Sequence, residues 1–358
     1  MGKMIIVTGA AGYIGRRIVF RAQQHGHKIK AVVRPGCDIS NMPWARLDNI
    51  EVVEIDLASD LATTAMFEIM RDEQDESAAV IHAAGSMAGD DDVQYAQTIK
   101  PTQYLIDAMK QTGLRRLILL SSMSVYGYLA LPKNSQLDET TPTELYIRQR
   151  DAYCRAKLSQ ETIVLEAAQM HGFVVTALRP GAIIGAGCLW TPRLGFVKST
   201  IGCQLGSNAK LPLSIVDHCA DAVVLASEKY AVTSDVYVES FANGASGAFE
   251  AINVVDDDLL TQQQYILLLK KHTDVWPRVV IYFPWRLLKL LASCLAVFEM
   301  VWPSLARKIP GVLREATLHA RIKPLCYSNA RLHDRLGWSP TLSIEEVVRL
   351  SSQNSEKR

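Results

Sequence analysis

The sequence predicts an α/β protein: a doubly wound parallel sheet followed by a smaller, mostly helical C-terminal lobe. Three observations predict it. Short apolar runs alternate with helical stretches through the first half of the chain. The first run, MIIVT at residues 4–8, passes directly into a glycine-rich turn that opens a helix. After residue 180 the alternation loosens, and glycine, proline and polar residues gather from 181 to 212.

Residues 4–8 form a continuous apolar run with no alternation, as expected of a strand buried on both faces. Residues 13–24 carry a helical pattern, and 28–33 are a second strand. Residues 52–55 and 79–82 predict the third and fourth strands, 117–120 the fifth and 174–178 the sixth. Helices are expected between them, notably over 94–112 and 153–171. Strands that alternate with helices of this length build βαβ units. Beyond residue 180 a helix near 217–230 and a strand near 251–255 are expected to return to the sheet, and from 261 onward the pattern is mostly helical. The chain therefore divides into a nucleotide-binding part (1–180), a substrate-binding lobe (181–350) and a frayed tail (351–358).

Bulk properties exclude several classes. With 38 basic and 37 acidic residues the net charge is +1, so no overall field favours nucleic acid or an anionic membrane. Seven scattered cysteines, none in a C-x-x-C pair, fit neither a disulfide framework nor a zinc site, so no metal is expected and the thiols read as reduced in a cytoplasmic setting. The N-terminus carries no secretory pattern. The most apolar segment, 279–302, is interrupted by Arg286, Lys289 and Glu299, and its longest uncharged run is far shorter than the roughly 20 residues of a membrane span.

Gly9-Ala10-Ala11-Gly12-Tyr13-Ile14-Gly15 has the spacing of a dinucleotide-binding turn. Glycines let the backbone approach a pyrophosphate, and the unpaired amides of the following helix hold its charge. The sheet is thus expected to be Rossmann-type. An NAD site usually places an acid at the end of the second strand for the ribose 2′-hydroxyl. Here that end reads Val32-Val33-Arg34-Pro35, and Arg34 suits a 2′-phosphate, so NADP is expected in preference to NAD. Asp56, with Leu57, follows the third strand and is placed to accept from adenine or to close a turn. Ala83, Ala84 and Gly85 follow the fourth and leave room for the cofactor at the sheet edge.

Tyr153 and Lys157 stand four residues apart, on one face of a helix. A free phenol titrates near pH 10, and a neighbouring ammonium, together with a positive nicotinamide ring, is expected to lower that value and make Tyr153 an acid–base group. The fifth strand runs into Ser121-Ser122-Met123-Ser124-Val125-Tyr126-Gly127, at the carboxyl edge where ligands of such sheets bind. Ser122 is the choice for orienting the reacting oxygen. Ser121 and Ser124 are rivals, and Tyr126 is read as packing.

Together these segments resemble the extended short-chain dehydrogenase/reductase superfamily, also called the NAD-dependent epimerase/dehydratase family. TGAAGYIG (8–15), VVRPG (32–36), IHAAG (81–85), SSMSVYG (121–127), YCRAK (153–157) and LRPGAIIGAG (178–187) follow in the family's order. The resemblance implies an NAD(P)-dependent oxidoreductase with a catalytic triad of Ser122, Tyr153 and Lys157, a nicotinamide side lined by Pro180, and a homodimer. Three departures bear on the substrate. Thr98 stands where the family often has a supporting asparagine, Pro180-Gly181 where sugar-nucleotide members have an asparagine, and Leu211 where they have a phosphate-holding arginine. The pattern is closer to the branch resembling 3β-hydroxysteroid dehydrogenases and dihydroflavonol reductases, whose substrates are weakly charged small molecules. The alternative is a nucleotide-sugar epimerase or dehydratase with tightly bound NAD. Written as a helix, 285–302 has a broad apolar face that suits covering a substrate, peripheral membrane contact, or a core or dimer helix.

Overall fold

The computed structural model describes residues 2–71, 73, 77–198, 201–206, 209–229, 247–274, 276–277, 279–301 and 313–353. The tail beyond 353, Tyr230 and Trp302 lie outside the described residues.

The main sheet has seven strands, numbered here in chain order: β1 Met4–Thr8, β2 Lys28–Val33, β3 Ile50–Glu54, β4 Ala79–His82, β5 Arg116–Leu120, β6 Val174–Pro180 and β7 Ala248–Val254. All pairs are parallel, in the order β7-β6-β5-β4-β1-β2-β3. The order reverses beside β1, so the crevice of the doubly wound sheet opens beyond the carboxyl ends of β1 and β4. β7, expected near 251–255, runs beside β6 over its whole length.

Two helical layers bury the sheet. On one face α1 (Gly15–Gln24) and α5 (Val216–Glu228) pack Ile18, Val19, Ala22, Cys219 and Val223 against β1 and β2. On the other, α2 (Ala62–Met70), α3 (Lys100–Thr112) and α4 (Ala152–His171) contribute Met66, Met70, Leu105, Met109, Val164 and Ala168. The apolar strand runs thus find partners on both sides, which is what their lack of alternation demands.

The second lobe holds α6 (Gln262–His272), α7 (Trp285–Val301), α8 (Glu315–Ile322), α9 (Ala330–Leu336) and α10 (Ile344–Gln353). Two expectations need correction. The glycine-rich stretch after 180 contains strands Gly195–Lys198 and Ile201–Gly206, which join Val279–Pro284 in a three-stranded sheet. The apolar segment is therefore a strand and then a helix, because a β-branched and aromatic run precedes Pro284 and leucines follow it. And α9, assigned by sequence to the second lobe, packs Leu332 and Leu336 into the core of the first, with Trp338 just beyond it.

The helix expected over 94–112 is interrupted. A short α-helical turn, Asp91–Gln94, leads into a π-helical turn, Tyr95–Ile99, and only then into α3. Pro101 lacks the N–H that an α-helix would pair with the carbonyl of residue 97. The chain accommodates this by widening the preceding turn, and the Lys100 N–H bonds to the Tyr95 carbonyl. No described helix is long and apolar enough to cross a membrane.

Candidate active site

The β1–α1 turn folds as its glycines require. Gly9 has φ +69°, and a Cβ on Gly15 would lie 2.0 Å from the Gly9 carbonyl oxygen. No side chain caps the N-terminus of α1; its Arg16 and Arg17 amides pair with the Gly12 and Ile14 carbonyls at 3.0 and 2.9 Å, and the positive end of the helix dipole is what it offers an anion. A cleft of about 630 Å³ opens there, lined by Gly9, Ala11, Gly12, Arg34, Asp56, Leu57, Ala83, Ala84 and Gly85, with Gln97 of the widened turn and Pro101 of α3 as its wall. The size suits a dinucleotide half-exposed at a sheet edge.

Most residues singled out for the cofactor share this cleft. Tyr13 and Ile14 do not present their side chains to it: the Tyr13 hydroxyl donates to the Ala186 carbonyl at 3.2 Å, and Ile14 packs in the core. Pro180, at the end of β6, is buried and is not among the cleft's lining residues. Asp56 lines the cleft and also closes a turn, its Oδ1 accepting from the Ala58 N–H at 3.0 Å. Arg34 reaches along the wall to Gln97, 3.4 Å away.

The acid–base cluster adjoins the far end of the cleft. Asp151 caps α4 by accepting from the Cys154 N–H at 2.9 Å, which sets Tyr153 in the first turn. Buried Arg150 fastens this helix start to the serine loop, donating to Glu144 at 2.8 Å, to the Ser124 carbonyl at 2.8 Å and to the Tyr126 carbonyl at 3.1 Å. Lys157 lies one turn on, its Nζ 6.0 Å from the Tyr153 ring centre. A Cβ placed on Gly85 would be 3.7 Å from that Nζ, so the cleft and the lysine meet at Gly85.

The serines separate cleanly. Ser121 donates to buried Glu161 at 2.5 Å, and Arg179 holds the same carboxylate with Nε and Nη2 at 2.9 and 2.6 Å. Ser122 accepts from the Ser124 N–H at 3.1 Å, and its hydrogen bond to Tyr153 favours the phenolate. The Ser124 hydroxyl is buried without a hydrogen-bond partner. Tyr126 is packing: it is buried, stacks under Arg179 and donates to Asn253 at 2.6 Å.

The protein's own groups do not lower the Tyr153 phenol. Loss of surrounding water pushes the Tyr153 phenol up to about 12, against the Ser122 hydrogen bond, and Asp151 and Cys154 push in the same direction. Lys157 does not offset this. Burial pushes its own titration down to about 8, with Glu161 opposing, and its protons go to the Leu120 carbonyl and Gln160 Oε1, both at 2.8 Å. From the protein's own groups alone Tyr153 is protonated at neutral pH.

Sequence reasoning missed the residues that hold Lys157. Gln160 is buried; its Nε2 donates to Thr102 Oγ1 at 2.7 Å. The Thr102 hydroxyl donates to the Thr98 carbonyl at 2.7 Å, so it accepts from both Gln160 and His82 Nε2 at 2.9 Å. His82 Nδ1 then accepts from the Thr8 hydroxyl at 2.8 Å. Burial, with the Lys157 charge adding to it, pushes His82 down to about 3, so the ring stays neutral. Thr98 occupies the asparagine's place differently: its hydroxyl donates to Gln94 and accepts from the Ser86 N–H, both at 3.0 Å, tying the loop after β4 to the widened turn. The one legible signal was Gln160 itself, three residues beyond Lys157 on the same helix.

A sequence profile of the family described as "NAD dependent epimerase/dehydratase family" matches residues 5–237. The chain belongs to that family. Relatives include cinnamoyl-CoA reductase 2 of Arabidopsis thaliana, 25% identical over 188 residues, which are 51% of this chain and 55% of that one. A second is 3beta-hydroxysteroid-dehydrogenase/decarboxylase isoform 1 of the same plant, 23% identical over 378 aligned positions, covering 98% and 81% of the two chains. The first of these matches thus spans only about half the relative's length. Among solved structures, UDP-glucose 4-epimerase of Thermus thermophilus in complex with NAD has the same fold, with TM-score 0.67 at 16% identity and 99% coverage of both chains. Reductases, dehydrogenases and epimerases are thus all among the proteins this chain resembles.

A further cluster is not a metal centre in this arrangement. Among the described residues His25, His27 and Glu228 bring potential ligand atoms together. The Lys3 N–H donates to His27 Nδ1 at 3.2 Å, so the ring proton sits on Nε2 and points at Glu228, 2.8 Å away. The set is a hydrogen-bonded joint between β2 and the end of α5.

Proposed function

We propose that this chain is an NADP(H)-linked oxidoreductase that moves hydride between the nicotinamide and an alcohol/carbonyl pair of a weakly charged small molecule. The observation that carries the reading is the meeting of Ser122, Tyr153 and Lys157 beside Gly85, where the glycine-lined cleft ends. A dinucleotide fits the residues present: the glycine turn and the positive N-terminus of α1 for its pyrophosphate, Arg34 for a 2′-phosphate, and small residues 83–85 along the sheet edge. Bound there, the nicotinamide would supply or accept the hydride.

The protein's own residues handle the proton. A phenol at about 12 is a proton donor at neutral pH, so Tyr153 is poised to protonate a carbonyl oxygen in the reductive direction. Ser122 orients that oxygen. Lys157 commits two of its three N–H groups to Leu120 and Gln160, and its Nζ stands beside Gly85 at the end of the cleft. Running in the oxidative direction requires added positive charge near the phenol, which an oxidised nicotinamide carries.

A weakly charged substrate is supported by what replaces a phosphate clamp. Leu211 is a buried core residue. Arg193, Lys210, Arg321 and Lys323 do converge nearby, which favours the nucleotide-sugar reading, but the gap between them is about 10 Å³. That holds no more than a water. Lys323 is occupied by the Tyr128 and Leu129 carbonyls at 2.9 and 3.2 Å, and Arg193 by the Arg321 carbonyl at 3.2 Å.

The test is cofactor turnover. Purified protein is expected to oxidise free NADPH with a panel of apolar aldehydes, ketones and aryl thioesters, and Tyr153→Phe to lose at least 100-fold in kcat, the usual scale of acid–base catalysis. Arg34→Ala should lose its preference for NADPH over NADH. Retention of tightly bound NAD with no net consumption would move the assignment to the epimerase, and equal native affinity for both cofactors would remove the role of Arg34.

A further inference from the structure

The three-stranded sheet and α7 expose an apolar face that no described element covers. On one side of the sheet Phe196, Cys203 and Ile281 form one cross-strand row and Ile201 and Val279 the next. Val279 is 54% and Ile281 50% exposed, and Phe196 and Ile201 are comparably open. α7 continues the face. It packs Leu288 and Ala292 onto Leu205, Leu318 and Ile322. It turns Leu287, Leu290, Leu291 and Val297 outward, with Leu290 and Val297 each 63% exposed. With exposed Cys294 between them, these positions recur at three- and four-residue spacing and form a stripe along one side of the helix. Single exposed leucines are ordinary, whereas contiguous ones mark a contact surface.

The charge of the face selects its partner. Residues 195–206 and 279–301 carry Lys198, Arg286 and Lys289 against a single acid, Glu299 near the end of α7. Arg286 and Lys289 are exposed and flank the leucine stripe. A second copy of this chain docking face to face would bring net positive charge against net positive charge, with one Glu299 from each copy against three cations. An anionic lipid surface answers them and accepts the apolar stripe in the same contact. α7 has 17 residues and does not meet the requirements of a span, which leaves the interfacial orientation.

We propose that this face docks on an anionic lipid surface, with α7 lying in the headgroup layer. The docked face is one element away from the chemistry. α8, which backs α7 through Leu318 and Ile322, donates from Thr317 to the Gln149 carbonyl at 3.0 Å, two residues before the cap of the Tyr153 helix. The proposal goes beyond the redox reading and stands or falls apart from it.

Co-sedimentation with vesicles tests it, using phosphatidylcholine alone against an equal mixture with phosphatidylglycerol. Native protein is expected to bind the mixed vesicles, to bind the neutral ones far less, and to be released by salt. Arg286→Ala with Lys289→Ala should weaken binding to mixed vesicles about thirty-fold, at about 1 kcal/mol per surface cation. Leu290→Ser with Val297→Ser should abolish it while NADPH binding, followed by fluorescence, stays native and reports the fold. Tyr153→Phe should bind vesicles as the native protein does. Absence of native binding, equal binding to both vesicle types, or binding that survives the Leu290/Val297 change overturns the proposal. So does light scattering in which that change converts a dimer to a monomer without any vesicle binding by the native protein.

Discussion

Lys157 is a buried cation whose charge the fold tolerates poorly. Its titration is pushed down to about 8 by burial, from an ordinary lysine value near 10.5. Between these values the unfolded chain holds a proton that the folded chain has released, so stability rises with pH across that window. Below about pH 8 both states are protonated and the cost of burying the charge is fully present. Gln160 limits that cost by accepting from Nζ at 2.8 Å. A hydrogen bond to a charged group is worth about 1.5–3 kcal/mol. Gln160→Leu should therefore lower the lysine by roughly one further unit. In urea unfolding measured from pH 6 to 11, roughly spanning both lysine values, the rise should begin earlier in Gln160→Leu and vanish in Lys157→Met. The basic limb of the turnover profile should move down with it in Gln160→Leu. A purely structural glutamine would change stability at every pH alike and leave both profiles in place.

At the scale of elements, the site depends on how β5, α4 and β6 are locked together. Glu161 accepts from Ser121 at the end of β5 and from Arg179 in β6, and it sits one helical turn beyond Lys157. The pair is buried and bidentate, the geometry in which removing one partner strands a charge. Glu161→Gln is expected to cost about 3–5 kcal/mol of unfolding free energy. Replacing both, Glu161→Leu with Arg179→Met, should recover most of that loss. Urea denaturation of the single and double variants checks it, and additive losses would mean that the two residues act independently. The main strands were readable in the sequence because each is a continuous apolar run that only a doubly covered sheet can bury. The glycine turn was readable because Gly9 and Gly15 answer a local backbone requirement. The lock between elements was not, since Ser121, Glu161 and Arg179 are far apart in sequence and carry no periodic signal. Strand Val279–Pro284 was hidden for another reason: it shares one apolar run with the helix that follows, and composition alone blurs the boundary at Pro284.

The whole molecule is not a nucleotide-binding unit with an independent lobe attached. The chain crosses between the two repeatedly: Trp338 closes the first core, and α10 then returns to the second through Ile344, Val347 and Val348. Trp338 is buried in the layer formed by α1 and α5, its Nε1 donates to the His218 carbonyl at 3.1 Å, and its ring meets His218 and His333 edge-on. His218 in turn contacts Asp256, just after β7, and accepts at Nε2 from the Thr341 and Leu342 amides. A residue more than three hundred positions from the glycine turn thus packs in the same layer as the helix that follows it. If the two parts are one cooperative unit, Trp338→Ala should destabilise the protein by about 3–5 kcal/mol, as for other buried aromatic truncations. It should do so in a single transition that removes NADPH binding and second-lobe structure together. Unfolding followed at once by cofactor fluorescence and by far-ultraviolet dichroism distinguishes the cases. Two separated transitions, with the cofactor-binding one unmoved, would show that the first 180 residues fold without help from the C-terminal segment.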